Sequence, residues 1–146
     1  MENFIIRKLE PYDYHKGYLD ILSELSVIDK KHFSENKFDI FLEELPTNQH
    51  LFVIHETHTD KVVGCGSIII ETKIIHNFGK VGHIEDIVIG TSFRKYGLGK
   101  KIVEYLIDYA KLHSCYKVIL NCSDENLEFY KKNGFNKKDN SMVIYF

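Results

Sequence analysis

The stretch RKYGLGKK at residues 94–101 combines cationic side chains with a pair of glycines. Four of its eight residues are Lys or Arg, and Gly97 and Gly99 introduce a stretch with helical periodicity. A helix N-terminus presents free backbone N–H groups and a partial positive charge, and glycine lets a ligand approach the backbone closely. The pattern therefore predicts an anion site, and phosphate or pyrophosphate is the expected ligand.

Two common phosphate-binding loops do not fit these letters. A Walker A loop would require glycine at Arg94 and Ser or Thr at Lys101, and a dinucleotide-binding loop would require glycine at Ile102. A glycine pair before a helix also occurs in ordinary solvated turns, so the residues alone leave both interpretations open.

Length, charge and cysteine content favour a single globular domain and argue against a nucleic-acid-binding or disulfide-rich protein. The chain has 146 residues, of which 44% are hydrophobic, and its net charge is −2. This length predicts one domain over residues 1–146, and the charge gives no general basic field for nucleic acid. The three cysteines form no CxxC pair, which favours a reducing compartment over a disulfide framework.

The sequence also shows no membrane or export signal. No apolar run approaches the roughly 20 residues of a membrane span. The first ten residues, MENFIIRKLE, carry Glu2, Arg7 and Lys8, which is not typical of a signal peptide. We therefore expect a soluble cytoplasmic protein that binds neither nucleic acid nor a membrane.

Hydrophobic periodicity predicts elements in the order β-α-α-β-β-β-α-β-α-β. The predicted helices cover residues 11–25, 34–45, 97–113 and 125–134. The predicted strands cover residues 4–9, 50–56, 61–75, 79–90, 116–122 and 141–146. Ser34 is the expected N-cap of the second helix. The order predicts an α/β domain built around a mixed sheet.

Metal binding is not expected. His55 and His58 are three residues apart, but they lie in or beside a polar turn and no further ligand cluster accompanies them. A zinc site needs three or four converging ligands. We therefore expect no metal site.

The pattern R-x-x-G-x-G from Arg94 to Gly99 resembles the acetyl-CoA pyrophosphate loop of the GCN5-related N-acetyltransferases (GNAT). The segment NLEFYKKNGF at residues 126–135 resembles a later motif of the same family. The family pattern usually has a further glycine where Lys95 stands. The resemblance implies the GNAT fold, which is α/β with a mixed, mostly antiparallel central sheet and flanking helices, and it implies acetyl transfer from acetyl-CoA.

The resemblance also implies how acetyl-CoA is held. The loop binds the pyrophosphate, residues 87–89 of a splayed strand carry the pantetheine arm, and a backbone N–H near Ile87 stabilises the oxyanion. Tyr130 is the implied general acid that protonates the departing thiolate, although Phe129 and Tyr130 could also simply be core aromatics. The implied cofactor-binding residues are Ile87, Val88, Ile89, Arg94, Lys95, Tyr96, Gly97, Leu98, Gly99, Lys100, Asn126, Tyr130 and Lys132.

A narrower resemblance covers nearly the whole chain. The blocks IIIETKIIHNFGKVGHIEDIVI (68–89) and CYKVILNC (115–122), among others, resemble the glucosamine-6-phosphate N-acetyltransferases of this superfamily. This resemblance implies direct attack of the sugar amine on the thioester in a ternary complex, and a homodimer whose last strand crosses to the partner. The implied acceptor-binding residues are Ser26, Lys73, Ile74, Ile75, His76, Glu85, Asp86, Ile87, Tyr116, Lys117, Asn121 and Tyr145.

Several of these residues also have plain structural interpretations. Strand alternation places Glu85 and Asp86 on opposite faces, so one of them could form a structural salt bridge instead of contacting the sugar. Lys73 and His76 could belong to a solvated strand end instead of a phosphate clamp. Lys117 begins a strand that looks buried, so its charge is expected to have a partner.

Two positions depart from the narrower family. Asn121, an implied catalytic position, stands where Asp or Glu is expected, and an amide cannot accept a proton at neutral pH. Asp124 could compensate, or water or a backbone carbonyl could take the amine proton. Tyr145 stands where a cation for the phosphate is expected. Two alternatives therefore stay open: an acetyltransferase of another amine, and a non-catalytic CoA-binding protein.

Overall fold

Five strands in a single sheet form the centre of the computed structural model, which describes residues 3–146. The strands are β1 (Phe4–Lys8), β2 (Gln49–Glu56), β3 (Lys61–Thr72), β4 (Lys80–Ile89) and β5 (Cys115–Ile119). The α-helices are α1 (Tyr18–Ser23), α2 (Glu35–Glu43), α3 (Ile75–Phe78), α4 (Leu98–Leu112) and α5 (Leu127–Lys132). The strand order is β1-β2-β3-β4-β5, and only the β4–β5 pair is parallel. The predicted mixed, mostly antiparallel sheet is therefore confirmed.

Helices cover both faces of the sheet. Because successive residues of a strand point to opposite faces, the core consists of two hydrophobic clusters, one on each face. In β2, Phe52 and Ile54 belong to the hydrophobic cluster that includes α4, whereas Val53 between them belongs to the cluster that includes α1 and α2. Helix α4 buries Ile102 and Leu106 completely, one turn apart on the same face. Burying each side chain of this size contributes roughly 1.5–3 kcal/mol. This packing holds the N-terminus of α4 beside the end of β4.

Two predicted helices are shorter than expected because their first parts take another conformation. The segment predicted as one helix over residues 11–25 contains a 3₁₀ turn at Pro11–His15, then Gly17 with φ of +87°, then α1. The segment predicted at 125–134 begins with a 3₁₀ turn at Asp124–Asn126. The prediction for Ser34 is confirmed, since its side chain accepts a hydrogen bond from the Lys37 N–H.

Two strand predictions are wrong in part or in whole. Strand β5 covers Cys115–Ile119 and is the edge of the sheet, so it is not buried: Tyr116 and Ile119 are each 41% exposed. Lys117 is likewise exposed and needs no buried partner. Residues 141–146 form no strand in this chain and are exposed throughout. A strand needs a neighbouring strand for its hydrogen bonds, and no strand of residues 3–146 pairs with this segment.

A buried carboxylate fixes the turn after β1. Asp13 is 1% exposed, and its two carboxylate oxygens accept hydrogen bonds from the Arg7 guanidinium at 2.8 and 2.7 Å. One of these oxygens also accepts a hydrogen bond from the Glu10 N–H at 2.8 Å. This bidentate pair supplies the Asp13 charge with the partners that burial requires.

No helix within residues 3–146 is both long enough and apolar enough to cross a bilayer.

Candidate functional site

A cavity of about 370 Å³ lies where β4 and β5 diverge. The parallel pairing of the two strands ends at His83 and Ile119, although β4 continues to Ile89 and stays paired with β3. Along its second edge, β4 beyond His83 therefore faces no strand in the described part of the chain. The residues that line the cavity are Leu25, Ile84, Glu85, Asp86, Ile87, Leu120, Asn121, Cys122, Ser123, Asn126 and Tyr130.

A β-bulge in β4 shapes one wall of this cavity. Ser67 of β3 is opposite Glu85, and Cys65 is opposite Val88, so that two residues of β4 face the single residue Gly66. Asp86 has a φ of +52°. The Ser67 hydroxyl donates to the Glu85 carbonyl at 3.1 Å, which helps to hold the bulge in place.

The bulge makes one prediction from strand alternation wrong. Glu85 and Asp86 are both exposed and both line the cavity, because the extra residue breaks the alternation between the two faces. Neither carboxylate forms a salt bridge within residues 3–146, so the structural interpretation as an ion pair is also excluded for this part of the chain. Two carboxylates therefore remain available to a polar or cationic ligand.

Tyr130 of α5 also lines the cavity. Its ring packs edge-to-face on Phe129 and Phe135, with centroids 5.0 and 5.8 Å apart. Burial raises the pKa of the phenol, and the neighbouring Cys122 raises it further. The hydroxyl therefore keeps its proton at neutral pH and can donate it to a ligand. The aromatic contacts and the position in the cavity are compatible, so the core and functional interpretations do not exclude each other.

Asn126 and Asn121 complete this side of the cavity. Asn126 lies at the N-terminus of α5, and Asn121 follows β5 in the loop that leads to it. Both line the cavity. Their amides offer hydrogen-bond donors and acceptors without charge.

The glycine pair lies at the N-terminus of α4, as the sequence predicts. A 3₁₀ turn at Thr91–Tyr96 leads to Gly97, which has a φ of +70° and is followed by α4. No side chain caps this helix, so its first-turn N–H groups have no intrahelical acceptor. A Cβ atom built on Gly97 would meet no atom of residues 3–146 within 4 Å. This open, uncapped terminus fits a phosphate or pyrophosphate group.

The second glycine has a different role. A Cβ atom on Gly99 would stand 3.3 Å from the Phe129 ring, so the glycine lets α5 pack closely against α4. Leu98, between the two glycines, is fully buried in the core. The Leu98 side chain and the missing side chain of Gly99 therefore serve packing, and the backbone N–H groups of these residues are what the helix terminus offers to a ligand.

The cations of the loop are partly engaged within the protein. The Arg94 guanidinium donates to the Ile89 carbonyl at 3.2 Å and to Glu24 at 3.3 Å. Lys100 lies 3.6 Å from Glu104, and the Lys95 ammonium lies 5.3 Å from the centre of the Tyr96 ring. Arg94, Lys95 and Lys100 are nonetheless exposed, so their positive charge stays accessible.

The side chains of three other implied cofactor residues do not line the cavity. The side chains of Val88 and Ile89 are buried in the two core clusters, so that only their backbone can contact a ligand. Lys132 is exposed on α5 and does not line the cavity.

The segment predicted as a strand end at residues 73–76 instead ends in the short helical turn α3. His76 has a φ of +56°, and the centroid of its ring lies 4.4 Å from the centroid of the Tyr116 ring. Lys73 forms a salt bridge of 3.1 Å with Glu71, and Ile74 and Ile75 are exposed. The structure thus brings the KIIH segment next to the start of β5, including the exposed Lys117.

This second group is separate from the cavity within one chain. The register places Lys80 beside Cys115, whereas the cavity begins at Ile84, four residues and about 13 Å further along β4. Ser26 and Tyr145 are exposed and do not line the cavity either. The structure therefore gathers Glu85, Asp86, Ile87, Asn121, Asn126 and Tyr130, but leaves Lys73, His76, Tyr116 and Lys117 at another part of the sheet.

Sequence reasoning missed Leu25, Ile84, Leu120, Cys122 and Ser123 as cavity residues. Cys122 and Ser123 directly follow Asn121 in the chain, so the prediction for Asn121 could have been extended to them. Leu25 comes from the segment after α1, and only the packing of that helix on the sheet brings it to the cavity.

No group of three or more His, Cys, Asp or Glu side chains within residues 3–146 is placed to hold a metal ion. His55 instead pairs with Asp60 at 2.7 Å, at the turn between β2 and β3.

Comparison with known proteins agrees with the sequence resemblance. Residues 16–135 match the model of the acetyltransferase (GNAT) family. The chain is 44% identical to a glucosamine 6-phosphate N-acetyltransferase of Arabidopsis thaliana, over 99% of this chain and 98% of that protein. It is 39% identical to one of Candida albicans, over 99% and 97%. A crystal structure of the Arabidopsis thaliana enzyme superimposes with a TM-score of 0.92, at 43% identity and 98% coverage of each chain. The chain therefore belongs to the GNAT acetyltransferase family and, within it, to the group of the glucosamine 6-phosphate N-acetyltransferases.

Proposed function

We propose that the protein transfers an acetyl group from acetyl-CoA to the amine of D-glucosamine 6-phosphate, giving N-acetyl-D-glucosamine 6-phosphate and CoA. This reaction belongs to the biosynthesis of UDP-N-acetylglucosamine, and we place it in the cytoplasm. The observation that carries the proposal is the cavity between β4 and β5, where the unpaired edge of β4 and the Tyr130 phenol meet. The names and near-full-length similarity of the relatives support the same acceptor.

The cofactor site follows from the two features that fit CoA. The uncapped N-terminus of α4 at Gly97 offers N–H groups to the pyrophosphate, and Arg94, Lys95 and Lys100 add positive charge. The backbone of residues 87–89 offers hydrogen bonds to the pantetheine arm, since its second edge has no strand partner within residues 3–146. The Asn126 amide lies beside this path. When bound, acetyl-CoA supplies the acetyl group as a thioester.

The reaction itself would use three groups of the cavity. A backbone N–H near Ile87 stabilises the negative charge that develops on the carbonyl oxygen under attack. The Tyr130 hydroxyl, whose raised pKa keeps it protonated, donates its proton to the departing sulfur. The Asn121 amide orients the sugar amine but takes no proton, so the amine proton passes to water or to a backbone carbonyl.

Recognition of the acceptor would involve the two carboxylates exposed by the bulge. Glu85 and Asp86 can accept hydrogen bonds from sugar hydroxyls and from the ammonium form of the amine. The phosphate needs cations, and Lys73, His76 and Lys117 are the candidates. These cations lie away from the cavity of their own chain.

A homodimer would resolve this separation. In the proposal, the last residues of one protomer cross to its partner, and the cationic group of each protomer completes the cavity of the other. Two observations support it: the side chains of Met142–Phe146 are 68–118% exposed, and β5 is an exposed sheet edge with Tyr116 and Ile119 at its surface. Exposed apolar side chains and an open strand edge are both typical of an interface.

Release of free thiol from acetyl-CoA tests the reaction. Glucosamine 6-phosphate, glucosamine and a sample without acceptor are compared side by side. Fast release with the phosphorylated sugar alone supports the proposal, and it shows that Asn121 and Tyr145 are compatible with the chemistry. Fast release with another amine but not with this sugar would favour a different acceptor. CoA binding without turnover of any acceptor would favour a non-catalytic CoA-binding protein.

The substitution Gly97→Ala is expected to raise the KM for acetyl-CoA about fivefold. Alanine costs roughly 1–2 kcal/mol at a φ of +70°, so the loop relaxes and its N–H groups lose their alignment. Steady-state kinetics and thermal unfolding are measured together. Gly134→Ala is the matched control, because Gly134 also has a positive φ, +94°, and open space around it but lies at the end of α5. An equal change in KM in both variants would contradict the assigned role of Gly97.

Removal of residues 142–146 is expected to convert a dimer into a monomer. Sedimentation equilibrium of the full chain should give twice the chain mass of 17.1 kDa, and the truncated chain should give that mass once. The exposed apolar side chains of this segment have few contacts to lose in their own chain, so the monomer should stay folded by circular dichroism. A full-length chain that sediments as a monomer at micromolar concentration would contradict the dimer.

A further inference from the structure

Glu24, the residue after α1, makes contacts with the segment that carries the glycine loop. Its carboxylate accepts two hydrogen bonds from Thr91, one from the backbone N–H at 3.0 Å and one from the hydroxyl at 2.7 Å. It also accepts a hydrogen bond from the Arg94 guanidinium at 3.3 Å. The Arg94 side chain is in turn held by the Ile89 carbonyl at 3.2 Å. One carboxylate thus ties the first and fourth residues of the Thr91–Tyr96 turn to α1.

An apolar contact joins the same two segments independently. A Cβ atom built on Gly90 would stand 2.9 Å from Ile21 Cδ1, so the side chain of Ile21 in α1 packs directly over the backbone where β4 ends. Ile21 is buried and belongs to the core, so this contact sets the distance between α1 and the end of β4. The residue that follows Glu24 is Leu25, which lines the cavity. The segment around Glu24 therefore contacts the anion loop on one side and the cavity on the other.

We infer that Glu24 is a positioning residue for CoA: it holds the 91–97 turn so that the N–H groups of α4 and the Arg94 guanidinium face the pyrophosphate. The inference rests on the proposed function. Thr91 is the first residue of the turn, and its N–H is satisfied by Glu24. Without this acceptor, the start of the turn loses its hydrogen bonds to the end of α1, and the contact between Ile21 and Gly90 remains. Arg94 also loses one of its two hydrogen-bond partners and keeps only the Ile89 carbonyl.

The sign of the effect separates positioning from simple electrostatics. Glu24 is a negative charge beside a site for an anion, so by charge alone its removal should strengthen the binding of CoA. If its hydrogen bonds align the loop, its removal should weaken the binding instead. The expected result is a CoA dissociation constant about tenfold higher in Glu24→Ala, since hydrogen bonds to a charged group are among the stronger ones.

The experiment measures CoA binding by isothermal titration calorimetry in wild type, Glu24→Ala, Glu24→Gln and Glu104→Ala. Glutamine keeps an oxygen that can accept from Thr91, so Glu24→Gln should restore most of the affinity. Glu104→Ala is the charge control: it removes a surface carboxylate 3.6 Å from Lys100 of the same loop, and Glu104 forms no other salt bridge or side-chain hydrogen bond within residues 3–146. It should bind CoA as tightly as wild type or more tightly. Steady-state kinetics should show a raised KM for acetyl-CoA in Glu24→Ala and a kcat within about twofold of wild type, because loop alignment acts on cofactor binding.

Each outcome decides the matter. Equal or tighter CoA binding in Glu24→Ala would overturn the inference, and so would an equal loss of affinity in Glu104→Ala. If Glu24→Ala does not fold, Thr91→Val takes its place, because it removes only the hydroxyl that donates to Glu24; unchanged affinity in that variant would likewise overturn the inference. A wild-type chain that does not bind CoA would instead refute the proposed function, which is a separate result.

Discussion

Replacing Tyr130 by Phe is expected to lower kcat about 100-fold and to leave the KM values for both substrates nearly unchanged. General acid catalysis by a positioned side chain contributes at least this factor in many enzymes. Phenylalanine keeps the edge-to-face contacts with Phe129 and Phe135, so the cavity should keep its shape. The lost hydroxyl is the only chemical difference, and it acts when the sulfur departs.

The measurement is steady-state thiol release across a range of pH. Because burial raises the pKa of Tyr130 above its usual value of 10, loss of activity through this group should begin at a higher pH than for an ordinary tyrosine. Activity should fall only as the pH rises through the raised pKa, where the phenol loses the proton that it donates. Tyr105→Phe is the control, since it removes the hydroxyl of another partly buried tyrosine that lies on α4 outside the cavity. A kcat for Tyr130→Phe equal to that of the control would show that water or another group protonates the sulfur.

The substitution Asp13→Asn should lower the free energy of unfolding by about 3 kcal/mol at pH 7. Removing one partner of a buried ion pair typically costs 3–5 kcal/mol, because the other charge stays behind without compensation. The Asp13 carboxylate is buried and makes bidentate hydrogen bonds to Arg7. An amide of the same shape keeps part of the hydrogen bonding, which places the expected loss at the lower end of this range.

The pH dependence of this effect follows from the pKa of Asp13. Burial raises the pKa, but the hydrogen bonds from Arg7 and from the Glu10 N–H lower it more, and the net direction is downward. A carboxyl group with a lowered pKa in the folded state stabilises the protein above its ordinary pKa near 3.8, and this contribution disappears as the pH falls through the folded-state value. The difference between wild type and Asp13→Asn should therefore be full at pH 7 and shrink below about pH 4.

Urea unfolding at pH 7 and at pH 3 measures both parts of this prediction. Asp108→Asn is the matched control, since Asp108 pairs with Lys111 at 3.2 Å on an exposed helix surface. Such surface pairs contribute about 0–1 kcal/mol. Equal destabilisation by the two substitutions at pH 7 would mean that the Arg7–Asp13 pair contributes no more to the free energy of unfolding than a surface ion pair does.

The sequence by itself determined the features that depend on residues close together in the chain. The N-cap at Ser34, the amphipathic α4 and the glycine pair at its N-terminus all follow from local spacing, and the structure places them as predicted. The position of Tyr130 follows from a motif of ten consecutive residues that lie within one short helix and its ends. The N-cap and the amphipathic helix could be predicted because their physical causes, capping and periodic burial, act within one or two turns, whereas the place of Tyr130 was implied by the family resemblance.

Only the tertiary structure decided the features that depend on which segments meet. The bulge that exposes both Glu85 and Asp86 depends on the register of β4 against β3, and alternation within β4 alone pointed to the wrong faces. The contact of Glu24 with Thr91 joins residues 67 positions apart, so no spacing in the sequence could indicate it. Residues 141–146 have a strand-like composition but form no strand here, because a strand exists only where another backbone supplies its hydrogen bonds.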